Sequence, residues 1–258
     1  MRKYILIISV FIFLSLFLLT TDLRVIALTA TNSASRSAKT ASQSALQQTR
    51  LEALRTKAVK EIDRRLEFLN TALNKTTNAK KLAEANKTSL ITLIQKDITD
   101  MLNLKGKIAA DTDIATLRTD VALIVKDYRV YALLRPQVEL IAAADSVLYW
   151  ADKLNEVALK LNEKIQKAKT EGRNTSGLQT AYNELTAKTA VAKTQAQSIE
   201  TTVLPLKPEG YPANKTTLQS ARANLKTAHE SMSTARKDAK TIYQDLKSLW
   251  TKTPPPNQ

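Results

Sequence analysis

The chain has 258 residues, a net charge of +15 at pH 7, one histidine and no cysteine. The absence of cysteine excludes disulfides, thiol catalysis, cysteine-ligated zinc and iron–sulfur clusters, so stability must come from packing and helix propensity. The histidine, His229, has no second histidine one helical turn away, so neither a metal site nor a cofactor is expected.

Residues 1–27 have the features of an export signal. Two basic residues precede an uncharged, predominantly apolar run over residues 5–19, and Asp22 and Arg24 follow it. The run is shorter than the roughly 20 apolar residues that span a bilayer. These features favour a cleaved signal peptide, with an uncleaved N-terminal anchor as the alternative. In both cases we expect the rest of the chain to be exported and either secreted or held at the cell surface or envelope.

The first two helices are predicted after a linker. Residues 28–43 are small, polar and aperiodic, which predicts a flexible linker. Ser44 and Gln47 have the spacing of a capping box, which predicts the start of the first helix. Apolar residues in steps of three and four extend this helix to about residue 75. The same pattern predicts a second helix that ends between Gly106 and Ala110.

A long third helix is predicted after the second. Asp111 or Asp113 can cap its start, and the apolar pattern continues past Pro136 to about residue 170. One straight helix of that length would span roughly 90 Å at 1.5 Å per residue. Because proline removes a backbone donor, we expect this helix to bend or break near Pro136.

The last two helices are predicted to pair as an antiparallel coiled coil. Capping boxes begin at Ser176 and Thr216, and a 3.5-residue apolar repeat rich in alanine follows each. The prediction is therefore an all-α fold, an elongated antiparallel helical bundle of about five helices. The predicted parts of the body are an N-terminal sub-bundle over 44–135, coiled-coil-like helices over 136–250 and a proline-rich tail over 251–258.

The stretch 127–152 contains the best candidates for a site. It reads DYRVYALLRPQVELIAAADSVLYWAD, and its aspartate falls on or beside the apolar face. A buried carboxylate is costly unless it is paired, so we expect an Arg, a Lys or a tyrosine hydroxyl beside Asp145. We interpret the stretch as a polar structural junction; the alternative is a pocket whose aromatic rings stack on a sugar or another flat group. The candidate residues are Tyr128, Arg129, Tyr131, Arg135, Asp145, Tyr149 and Trp150.

No catalytic motif occurs in the sequence. Phosphate-binding loops of the GxxxxGK[ST] and GxGxxG types are absent, as is the GxSxG nucleophile turn, and the carboxylates are single and dispersed. We therefore predict that the protein is not an enzyme.

Beyond the leader the net charge is +13, spread along the helices with no run of more than two basic residues. This distribution argues against a sequence-specific nucleic-acid site and is compatible with weak adhesion to an anionic polymer.

Three segments carry a resemblance to a known group. They read LKGKIAADTDIATLRTDV, DYRVYALLRPQVELIAAAD and LNEKIQKAKTEGRN. Together they resemble predicted exported helical proteins of candidate phyla radiation (Patescibacteria) bacteria, over a range from about Ile62 to Leu246. The resemblance implies a bacterial host of that group, export and an all-helical fold, and it supplies no catalytic residues.

These observations predict an exported, non-enzymatic helical scaffold of the cell envelope or surface. The expected partner is a protein or an anionic envelope polymer, with membrane contact only through an uncleaved leader. The alternative is attachment of the basic surface to anionic wall polymer, membrane or extracellular DNA. The two differ in their salt dependence, because binding that rests on charge weakens as salt is added.

Overall fold

A computed structural model describes the backbone of residues 25–251 and the side chains of Arg36 and residues 38–251. The predicted leader up to residue 24 and the tail from residue 252 lie outside the described residues. Within them the fold is all-α, as predicted, with no strand. The α-helices are α1 (Val25–Thr77), α2 (Glu84–Ala110), α3 (Ile114–Lys126), α4 (Arg135–Thr170), α5 (Ser176–Val203) and α6 (Asn214–Thr251). No described helix is both long enough and apolar enough to cross a bilayer.

Helix α1 begins earlier than the sequence pattern predicted. It starts at Val25, so the predicted start at Ser44 is wrong, and residues 28–43 are helical where a flexible linker was expected. This segment contains no Gly or Pro, so nothing in it breaks a helix. The hydroxyls of Thr40 and Ser44 donate to carbonyls three or four residues earlier, at Arg36 and Ala41. The short polar side chains are thus accommodated within the helix.

The chain divides into two compact units, residues 1–50 and 51–258. The described part of the first unit is helical from Val25. All packing and sites described below belong to the second unit.

The predicted long third helix is broken before Pro136. Helix α3 ends at Lys126, and a short π-helical turn over Val130–Leu134 leads into α4. Arg129 at the break has a left-handed backbone, with φ of 41°. Pro136 lies in the first turn of α4, where its missing N–H needs no partner. The proline therefore starts a helix, and the described chain has six α-helices where about five were predicted.

The helix ends are defined by local hydrogen bonds. The Asp113 carboxylate caps α3 by accepting from the Thr116 amide at 2.8 Å, as the sequence predicted, and this bond lowers the pKa of Asp113. Gly172, with φ of +71°, ends α4 in a Schellman motif: the amides of Gly172 and Arg173 donate back to Lys169 and Ala168.

The described part of the second unit has two apolar cores. One is buried between α4, α5 and α6 and includes Ile165, Leu185 and Ile242. The other is buried between α1, α2 and α3 and includes Ile62, Ile94 and Ile124, among others. The partly buried Val138, one turn into α4, packs against both cores. The first residues of α4 thus lie where the two cores meet.

Candidate functional site

Asp145 lies at a buried polar junction between three helices. Its side chain belongs to α4 and is 3% exposed. Its Oδ2 accepts from the Ala83 backbone amide at 3.1 Å, and both carboxylate oxygens accept from Asn86 Nδ2 at 3.1–3.2 Å. Ala83 is the residue before α2, so Asp145 caps that helix from a different helix. A carboxylate at this position is also stabilised by the helix dipole.

Glu200 of α5 completes what we call the Asp145 junction, formed by Ala83, Asn86, Asp145 and Glu200. Burial, reinforced by the neighbouring Asp145, raises the pKa of Glu200 to about 8. Its Oε1 is fully covered and receives no hydrogen bond within the described residues. A pKa of about 8 favours the protonated form of Glu200 at neutral pH, and in that form its carboxyl group can donate to Asp145. A shared proton lets two carboxyl groups lie together without a second buried charge.

The predicted partner of Asp145 is therefore wrong. The expected Arg, Lys or tyrosine hydroxyl is replaced by a backbone amide, a side-chain amide and a carboxylic acid. The physical reason is where the helices place these groups. Asp145 points towards the start of α2 and towards α5, whereas Arg129 and Arg135 of the same stretch contact aromatic rings elsewhere.

Tyr128 and Arg129 lie at the break between α3 and α4. Tyr128 is partly buried against the α1–α3 core, and burial raises the pKa of its hydroxyl. The Arg129 guanidinium lies 4.1 Å from the centre of the Tyr211 ring, in the loop before α6. This pair connects the break to the α5–α6 loop.

Tyr131 and Arg135 contact α1. The Tyr131 ring meets Phe68 edge-to-face at 5.8 Å, and Arg65 lies 5.0 Å from the centre of the Tyr131 ring. Arg135 lies 5.7 Å from the centre of the Phe68 ring and donates to Glu139 at 2.9 Å. The contacts of these residues and those of Asp145 involve different partners, so the seven predicted residues do not form one site.

Tyr149 and Trp150 face outwards from α4. They are 39% and 41% exposed and contact each other edge-to-face at 5.2 Å. Lys81 Nζ lies 4.5 Å from the centre of the Trp150 ring, and Arg236 of α6 lies 5.8 Å from it. At these distances the negative ring face attracts both cations. Trp150 therefore holds two positive charges close together at the surface.

A groove beside Trp150 separates α4 from α6. Its volume is about 260 Å³. No Asp or Glu among the described residues lines it, and the exposed His229 has no hydrogen-bond partner within them. Arg236 is the one charged side chain among the described residues that line the groove. The Trp150 groove is lined by Ser146, Val147, Trp150, His229, Met232 and Arg236.

Four residues of functional interest escaped the sequence prediction. Lys81 and Arg236 surround Trp150, and Glu200 and Asn86 surround Asp145. The signal for Arg236 was available, because it belongs to a seven-residue spacing of exposed residues along α6. Nothing local marks the other three, since only packing between helices brings them to the site.

No cluster of three or more metal-ligating side chains occurs in the described part of the chain.

No protein-family model, curated protein or solved structure matches this chain.

Proposed function

We propose that this protein is an exported, non-enzymatic helical scaffold of the cell envelope or surface that binds an anionic partner through its basic face. The observation that carries the proposal is the Trp150 groove. Two cations, Lys81 and Arg236, lie over one half-exposed tryptophan, and no carboxylate lines the groove within the described residues.

Charge complementarity supports an anionic partner. Lys81 and Arg236 form no ion pair within the described residues, although many other basic side chains of this protein do. Their charge is therefore not neutralised by the protein itself. Bringing an anion to this groove replaces water around two cations that are already held in position, which lowers the entropic cost of binding.

A dispersed positive charge of +13 beyond the leader adds long-range attraction. Such dispersed charge does not favour sequence-specific recognition of nucleic acid, which needs side chains placed against base edges. The absence of a catalytic motif in the sequence and the single unoriented histidine of the groove support a binding role.

The experiment compares two variants that lose the same charge. Polygalacturonate, a soluble anionic polysaccharide, serves as the probe, and its binding to the purified protein is measured by titration calorimetry. We expect Lys81→Gln with Arg236→Gln to weaken binding several-fold. Lys57→Gln with Lys60→Gln, on exposed positions of α1, should leave it nearly unchanged. Equal losses would show that only total charge matters, and no binding by the unmodified protein would overturn the proposal.

A further inference from the structure

The exposed side of α6 has a charge pattern that repeats with the helix. One position of its seven-residue repeat holds Lys215, Arg222, His229, Arg236, Tyr243 and Trp250, and all six are exposed. We call this row the α6 stripe. The neighbouring position, four residues further on and starting at Gln219, also contains no Asp or Glu. The three acidic residues of α6 occupy other positions of the repeat. The stripe is therefore positive or neutral along its whole length.

Two grooves open along this stripe. The Trp150 groove includes His229 and Arg236, and a second groove of about 310 Å³ includes Lys215 and Arg222. We call the second one the Tyr211 groove; it is lined by Ala132, Tyr211, Lys215, Leu218, Gln219 and Arg222. Lys215 and Arg222 of the Tyr211 groove precede His229 and Arg236 of the Trp150 groove by fourteen residues, which corresponds to about 21 Å along a helix.

The two grooves are built alike. In the Tyr211 groove the ring of Tyr211 carries two cations, Arg129 at 4.1 Å and Lys215 at 5.3 Å. In the Trp150 groove the tryptophan ring likewise carries Lys81 and Arg236. In each groove one lining aromatic ring thus contacts two cations; Arg236 and Lys215 line the grooves themselves, whereas Lys81 and Arg129 reach the rings from beside them. Lys215 and Arg222 also form no ion pair within the described residues.

We propose that a linear anionic polysaccharide lies along the α6 stripe and occupies both grooves at once. This inference rests on the proposed function and specifies its ligand. A single small anion would need only one groove, whereas two similar grooves on one helix match a ligand with repeated charges. Occupying both raises the affinity, because the second contact is made within an already formed complex.

The aromatic rings favour a polysaccharide over single-stranded nucleic acid. Nucleic-acid binding without sequence preference uses exposed ring faces on which bases stack. Here the rings of Trp150 and Tyr211 already contact cations, so they position charge instead of offering a free stacking surface. The stripe is a poorer match for a membrane surface, because a helix that binds a membrane inserts a broad apolar face. Large apolar rings occur on the stripe only at its C-terminal end, at Tyr243 and Trp250.

The test compares the binding of a long and a short ligand, in the unmodified protein and in a variant of the Tyr211 groove. Calorimetry is performed with polygalacturonate and with digalacturonate, which is too short to reach both grooves. We expect the polymer to bind at least about tenfold more tightly per chain. Lys215→Gln with Arg222→Gln should remove most of this advantage and leave digalacturonate binding at the Trp150 groove unchanged.

Each result decides between the two proposals. If neither probe binds, the proposed function fails. If both bind equally well, or if the Lys215 and Arg222 variant retains the full polymer advantage, the function stands and the two-groove inference is wrong. Tighter binding of a thymidine oligonucleotide of matched charge, or of anionic phosphatidylglycerol vesicles, would also overturn the polysaccharide assignment. Circular dichroism of each variant confirms that the helices are intact.

Discussion

Asp145 and Trp150 lie five residues apart on α4 and have opposite surroundings. Asp145 is buried, and its carboxylate accepts hydrogen bonds from a backbone amide and a side-chain amide beside Glu200, whose pKa is raised. Trp150 is half-exposed and contacts two cations, Lys81 and Arg236, that form no ion pair with a carboxylate within the described residues. Polar side chains thus have two different roles in this helical protein. A buried polar group with partners inside the protein fixes how the helices pack, whereas a charged group that is exposed to solvent and unpaired is available to bind a ligand.

The largest effect is expected from Asp145→Ala. It leaves the Ala83 amide, the Asn86 side chain and Glu200 without their shared partner, which should cost about 2–4 kcal/mol of unfolding free energy. Urea denaturation measures this loss. Asp145→Asn retains one acceptor oxygen and should cost less. If Asp145→Ala had the stability of the unmodified protein, the junction would not contribute to packing.

A somewhat smaller loss is expected from Gln137→Leu. Gln137 is buried near the start of α4, and its amide donates to the carbonyls of Val203 and Leu206 at 3.0 and 2.9 Å. Leaving both carbonyls without this donor should cost about 1–3 kcal/mol. The exposed Gln197 supplies the matched control, because Gln197→Leu breaks no such bond. Equal urea midpoints for the two variants would contradict the assignment.

The junction should also make stability depend on pH. The pKa of Glu200 is raised by folding from 4.5 to about 8, so the folded state holds the proton more tightly than the unfolded state. This contribution is complete below pH 4.5 and is lost as the pH rises through about 8. We expect the unmodified protein to lose stability relative to Glu200→Gln across this range. Parallel stability curves for the two proteins would show that Glu200 titrates normally.

The smallest effect is expected from Trp150→Leu. Removing the ring releases Lys81 and Arg236 from its face, and each such contact is worth about 0.5–1 kcal/mol at an exposed site. Polygalacturonate binding should weaken about two- to fivefold, with little change in stability. Tyr243→Leu, on the same stripe and without a cation on its ring in the described structure, provides the control. A large loss of unfolding free energy in Trp150→Leu would instead show that Trp150 stabilises the fold, as the Asp145 junction does.

The fold was largely predictable because the apolar periodicity of helices and the Gly and Pro residues that end them can both be read from short stretches of sequence. The bounds of α5 and α6 agree with the predictions to within a few residues, because Gly- and Pro-containing loops flank both helices in the sequence. The end of α2 is marked instead by Asp113, which caps the following helix. The start of α1 was not predictable, because small polar residues are compatible with both linker and helix. Pro136 was correctly placed near a break, but Arg129 has the unusual backbone conformation, and arginine carries no sequence signal for it.

The candidate residues were only partly predictable. The need of Asp145 for a partner followed from its position on an apolar face. The identity of the partner depended on which residues of α2 and α5 pack there, and helix periodicity does not specify this. Similarly, Trp150 was singled out as an aromatic residue of the candidate stretch, whereas its exposure and its contact with Lys81, in the loop between α1 and α2, depend on how the helices pack.

The central claim is that the α6 stripe binds an anionic polymer by charge, and the salt dependence of binding tests it most directly. The logarithm of the polygalacturonate binding constant is measured against the logarithm of salt concentration. We expect a clearly negative slope, which becomes shallower by about one for each cation removed in Arg222→Gln with Arg236→Gln. Lys57→Gln with Lys60→Gln should retain the original slope. A slope near zero for the unmodified protein, or one that the α6 variant leaves unchanged, would contradict the account.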